Sequence, residues 1–124
     1  MQIHESQENY LETILMLKER NGNVRSIDIA REMGFSKPSV SVAMKQFREN
    51  GYIIVDEDGL ISLTPIGQNV AERIYERHIV LTKMLVGLGV DEATAREDAC
   101  RIEHDISDDS FDRIKEHLQQ KGLI

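Results

Sequence analysis

The sequence predicts a mainly α-helical chain carrying one small β-hairpin. Apolar residues recur at helical spacing through most of its 124 residues. The period changes to short β-prone runs only between residues 52 and 63, and the turn sequence Asp56-Glu57-Asp58-Gly59 separates those two runs. The order expected is three helices, a hairpin, then three more helices.

The first helix is expected over residues 7–20. Tyr10, Leu11, Ile14, Leu15 and Leu17 share one face, and Asn21-Gly22-Asn23 ends the pattern. A short second helix runs from Ser26, taken as its N-cap, to Arg31, before Met33-Gly34-Phe35 turns the chain. The third opens at Ser36 with Pro38 in its first turn, where a missing N–H costs little. Val40, Ala43, Met44 and Phe47 form its buried stripe, and Asn50-Gly51 closes it. Tyr52-Ile53-Ile54-Val55 and Leu60-Ile61-Ser62-Leu63 then pair as the hairpin. Thr64-Pro65 supplies an N-cap and a proline at the first position of a long helix to about Val86, which Gly87 and Gly89 break. Asp91 caps a fifth helix reaching about Ile106. Ser107 or Asp108 caps a sixth, from Phe111 to Gln119.

Composition narrows the class. Hydrophobic residues make up 40% and charged residues 30%, the balance of a folded, soluble chain. The longest apolar run, Met84 to Val90, falls well short of the roughly 20 residues that span a bilayer, so no membrane partner is expected. The polar, acidic start predicts no signal peptide, and the lone Cys100 suits a reducing cytoplasm. Net charge is −7, yet between Arg25 and Arg48 five basic residues face two acidic ones, a local surplus of +3 that leaves −10 elsewhere. A local basic face can hold DNA on an acidic protein.

A short helix, a glycine-containing turn and a helix with small polar residues at its start form the helix-turn-helix pattern. Ser36, Lys37, Pro38, Ser39, Ser41 and Val42 are short or suitably placed for base edges and thymine methyls. Lys45 and Arg48, and Arg25 ahead of the motif, suit phosphates. The hairpin behind this helix makes the pattern a winged helix. Two ordinary packed helices with solvated charges are the alternative, and the three acids at the wing tip would repel phosphate.

A second constellation is Cys100, Glu103 and His104, at i, i+3 and i+4 of one helix. Thiolate, carboxylate and imidazole within a turn are what a transition-metal ion takes, although a buried cysteine beside a solvated Glu-His pair reads equally well. Asn9 and Glu12 stand at i, i+3 beside the apolar stripe of the first helix. His78 lies at the edge of an apolar run, where a lone histidine is more often a satisfied core residue than a ligand; His4 and His117 read as surface residues.

These stretches together resemble the diphtheria-toxin-repressor family of metal-dependent bacterial repressors, above all its short manganese-transport-regulator branch. The resemblance is carried by Glu8-Asn9-Tyr10-Leu11-Glu12-Thr13-Ile14, Ser36-Lys37-Pro38-Ser39-Val40-Ser41, Leu63-Thr64-Pro65-Ile66-Gly67, Glu76-Arg77-His78 and Ala99-Cys100-Arg101-Ile102-Glu103-His104. It implies a winged-helix DNA-binding domain over residues 1–63 and a helical metal-binding and dimerisation domain over 64–124, with 64–87 as the linking helix. The third, SH3-like domain of larger relatives is not expected within these 124 residues.

The resemblance further implies a regulatory metal held by Asn9, Glu12, His78, Cys100, Glu103 and His104. Two positions depart from the manganese-type pattern, which carries acids where Asn9 and Cys100 stand. A cysteine at position 100 matches the iron type, whereas Glu12, His78 and the chain length match the manganese type. Thr82 and Arg96 stand where an ancillary site would need ligands, and a two-ion cluster would lack its bridging carboxylates. One divalent ion therefore suits the set, with Fe²⁺ ranked before Mn²⁺ and with Zn²⁺ or Co²⁺ able to substitute in vitro. The expected function is a metal-activated repressor of metal-homeostasis genes, a homodimer on a palindromic double-stranded operator. A winged-helix regulator answering an organic ligand, or no metal, is the first rival. A small metalloenzyme is a distant second, since no phosphate loop, nucleophile elbow or small-molecule substrate site is legible.

Overall fold

The computed structural model describes residues 3–124, so the first two residues of the expected N-terminal domain lie outside the described residues. Eight elements follow in the expected order: α1 Glu5–Asn21, α2 Ser26–Met33, α3 Lys37–Glu49, β1 Ile53–Val55, β2 Ile61–Leu63, α4 Pro65–Gly87, α5 Glu92–Ile102 and α6 Asp108–Gln120. The chain divides into two compact units, Met1–Glu72 and Arg73–Ile124.

In the first unit α1 packs on α2 and β2, while α3 packs on α2 and β1. Leu11, Ile14, Val24, Ile29, Val40, Phe47, Ile53 and Ile61 are buried there. Of the stripe expected on α3, Val40, Met44 and Phe47 are buried and Ala43 is half-buried. The antiparallel hairpin pairs Ile53 with Leu63, Ile54 with Ser62 and Val55 with Ile61. A further backbone bond, Ile61 N–H to Val24 O at 2.8 Å, fastens the wing to the residues entering α2. An edge-to-face aromatic chain, Phe35–Tyr10–Phe47–Tyr52, links α1, the helix-turn-helix and the start of the wing.

Local differences from expectation have local causes. The N-cap of α2 is Arg25 rather than Ser26, because the Asp28 carboxylate accepts the Arg25 N–H at 2.9 Å. The helix then runs on to Met33, where Gly34 at φ +70° supplies the left-handed turn that a side chain would resist. Ser36 caps α3 from outside by accepting the Ser39 N–H.

In the second unit Val80, Phe111 and Leu118 form a core with Met84, Ile106 and Ile114 packed against it. Asp91 caps α5 and Ser107 caps α6. The fifth helix ends at Ile102, four residues short of the sequence expectation. The carbonyls of Glu103 and Ile106 accept from the Arg77 guanidinium, at 3.0 and 2.5 Å. Glu103 is the C-cap, and His104 lies in the turn beyond it. Among the described residues, no helix is long and apolar enough to cross a membrane.

Candidate metal centre and nucleic-acid interface

His78 projects from α4, and Cys100 and Glu103 come from the last turn and the cap of α5. One donor atom from each lies within 4.8 Å of the other two. His78 Nδ1 stands 3.0 Å from Glu103 Oε2 and 3.7 Å from Cys100 Sγ. Donors bound to one transition-metal ion at about 2.0–2.3 Å are separated by roughly 3–4.5 Å, so a small contraction would close this set on an ion.

The electrostatics suit a cation. Glu103 is fully buried, and its second oxygen, Oε1, makes no hydrogen bond; its neighbour is His104 Nε2 at 3.3 Å. Burial pushes the Glu103 pKa up, but His104 and His78 on its two sides outweigh that and hold it below the usual carboxylate range. His78 is pushed up to about 10, by hydrogen bonding to Cys100 first and to Glu103 second, against the opposing effect of desolvation. His78 thus stands between the Cys100 sulfur and the Glu103 carboxylate, and a divalent ion would compete with its proton for the same donors. The donor set fits a divalent transition metal.

Of the expected ligands, His78 is the one from α4, and it stands beside Cys100 and Glu103. Its ring is half-buried and faces two other potential ligands. Cys100 is exposed, whereas the His104 side chain is almost completely covered. On α1 of the first unit, Glu12 is buried and Asn9 half-buried, one turn apart. His4 is exposed at the N-cap of α1, and His117 is exposed on α6.

At the cap and along α3, Ser36, Lys37, Pro38, Ser39, Ser41, Val42, Lys45 and Arg48 are all exposed, with Val42 at 60%. A cleft of about 260 Å³ between the starts of α2 and α3 is lined by Ser26, Ile27, Lys37 and Ser41. Ser26 and Ile27 are absent from the sequence-derived set because only the fold brings the start of α2 beside that of α3. Arg25 donates from Nη1 to the Asp58 carbonyl, so its side chain is engaged with the wing turn. The acidic wing tip has a local reason too, since Asp56 Oδ1 accepts the N–H groups of Asp58 and Leu60, both at 2.9 Å.

A winged helix with a bare recognition helix, joined in one chain to a thiolate–imidazole–carboxylate cluster, defines a metal-responsive DNA-binding regulator. The chain belongs to the iron dependent repressor family: the model of its N-terminal DNA binding domain matches residues 2–60, and that of its metal binding and dimerisation domain matches residues 64–121. The HTH-type transcriptional regulator MntR of Bacillus pumilus is 35% identical over 114 residues, 92% of this chain and 79% of that protein. MntR of Salmonella typhimurium is 33% identical over 115 residues, 93% of this chain and 73% of that one. The solved structure of the manganese regulator SloR superposes with a TM-score of 0.79 at 28% identity. The match covers 96% of this chain but 55% of SloR, so the chain spans about half the length of that structure.

Proposed function

We propose that this protein is a metal-activated transcriptional repressor of metal-ion homeostasis, acting in the cytoplasm as a homodimer on a palindromic operator. The observation that carries the reading is the convergence of His78, Cys100 and Glu103, with a buried carboxylate at its centre. Asn9, Glu12 and His104 are proposed as the remaining ligands, and residues 1–63 and 64–124 as the two functional domains, linked by residues 64–87. Arg25, Ser36, Lys37, Pro38, Ser39, Ser41, Val42, Lys45 and Arg48 are proposed to face DNA. Hydroxyls at the start of α3 read base edges, Lys45 and Arg48 neutralise phosphates, and Arg25 holds the wing.

A bound divalent ion supplies the positive charge that lets thiolate and carboxylate stand together without the His78 proton. The residues do the rest: Glu103 presents a desolvated carboxylate, Cys100 a soft donor, and His78 gives up its proton. Thiolate and imidazole donors favour Fe²⁺ over Mn²⁺. The similar SloR is a manganese regulator by name, and that supports Mn²⁺.

Anaerobic titration of the chelated protein with Fe²⁺ and Mn²⁺, for wild type and Cys100→Ala, followed by DNA binding, tests the reading. DNA affinity should require metal. Cys100→Ala should weaken Fe²⁺ binding at least about tenfold, the lower end of what even an outer-shell loss costs, and weaken Mn²⁺ binding less. DNA binding that ignores chelators would reject the metal switch and keep the winged helix.

A further inference from the structure

Arg77 precedes His78 on α4, and at the level of sequence it is one more basic residue on a long helix. In the structure its side chain is only 4% exposed. Nη1 donates to the Glu103 carbonyl at 3.0 Å and to the Ile106 carbonyl at 2.5 Å. Nη2 donates to the Asp108 carboxylate, which Arg73 also holds at 2.6 Å, and the guanidinium lies over the Phe111 ring at 5.4 Å. One side chain thereby ties α4 to the end of α5, to the 103–107 turn and to the start of α6.

Glu103 is consequently gripped at both ends by adjacent residues of α4. His78 holds its carboxylate, and Arg77 holds its carbonyl. Burying a guanidinium is unfavourable until its partners compensate its desolvation, and an apolar side chain would fill the same space without that demand. What an apolar side chain lacks is direction: a rigid planar fork satisfies two carbonyls and a carboxylate at once. The bonds from Arg77 to the Glu103 and Ile106 carbonyls and to Asp108 involve none of the proposed ligand atoms.

We infer that Arg77 is a positioning residue for the metal centre: it ends α5 at Ile102 and sets the Glu103–His104 turn against His78 independently of metal. This inference rests on the ligand set of the proposed function. Co²⁺ titration followed by absorption spectroscopy tests both separately. Wild type should give a thiolate-to-cobalt charge-transfer band; its absence removes the ligand set and this inference with it. With the band present, Arg77→Met should weaken Co²⁺ binding about 10- to 100-fold, the usual effect of losing an outer-shell partner. It should also alter the ligand-field bands at saturation.

Leu118→Ala, a cavity in the same unit's core, separates positioning from stability. It should lower the melting temperature and leave the saturated spectrum as in wild type. Arg77→Lys keeps the charge and the stem but replaces the fork with a point donor, so its affinity and spectrum should fall between wild type and Arg77→Met. It decides the matter should Arg77→Met fail to fold. A folded Arg77 variant with the wild-type saturated spectrum and affinity would overturn the inference.

Discussion

As a proposed ligand with a raised pKa, His78 gives the site a pH dependence with a definite sign. Its pKa rises from 6.5 to about 10 in the fold. In the metal-free protein, the stabilisation due to protonated His78 is complete below about pH 6.5 and is lost as pH climbs through about 10. Metal must displace that proton, so apparent affinity should rise with pH across the same window, by up to about tenfold per unit. Calorimetric titration at pH 7.5 in two buffers of different ionisation enthalpy counts the protons. About one should leave per ion from His78 in wild type, and His78→Gln should release one fewer. Equal release from both proteins would mean that His78 is already neutral or is no ligand. Little of this was legible at residue level. The Cys100–Glu103–His104 spacing shows in the sequence, but His78 lies 22 residues before Cys100, so spacing alone leaves it a helix-edge histidine and only the family resemblance adds it to the ligand set. Arg77 was invisible for the same reason, its partners being 26 to 31 residues away.

Elements were easier to read than the contacts between them. Alternation, caps and the turn at 56–59 foretold the hairpin, and Ser36 with Pro38 foretold the start of α3. The early end of α5 was not foretold; the carbonyls beyond it accept from Arg77, which sits on another helix. The start of α4 holds a similar hidden contact. Thr64 Oγ1 donates to the Gly51 carbonyl at 2.6 Å, and Gly67 lies so near the Tyr52 backbone that an added Cβ would stand 2.1 Å from Tyr52 O. The obstacle is backbone, which cannot swing aside as a flexible side chain does. Gly67→Ala should therefore destabilise the first unit by about 1–3 kcal/mol, the usual cost of overpacking. Urea denaturation followed by circular dichroism would detect it. Unchanged stability would show that the wing and α4 separate more readily than this close approach allows.

At the scale of the whole molecule, metal donors and a DNA-reading helix share a chain whose net charge of −7 opposes DNA. The +3 segment between Arg25 and Arg48 supplies local attraction, and none of the proposed metal ligands stands on α3, whose side chains are exposed. A metal that raises DNA affinity must then do so by favouring one arrangement of the chain over others, which makes the effect a coupling free energy. Such coupling is reciprocal: if metal tightens DNA binding by some factor, DNA tightens metal binding by the same factor. For ordinary allosteric proteins that factor is about 5- to 150-fold. A duplex selected from a random pool by the metal-loaded protein provides the probe. Mn²⁺ affinity measured with and without saturating duplex, and duplex affinity measured with and without Mn²⁺, should give equal ratios above one. A ratio of one in both directions would reduce the metal to a structural component of the second unit. An elevated ratio for DNA, abolished by Glu103→Gln, would trace the coupling to the carboxylate between His78 and His104.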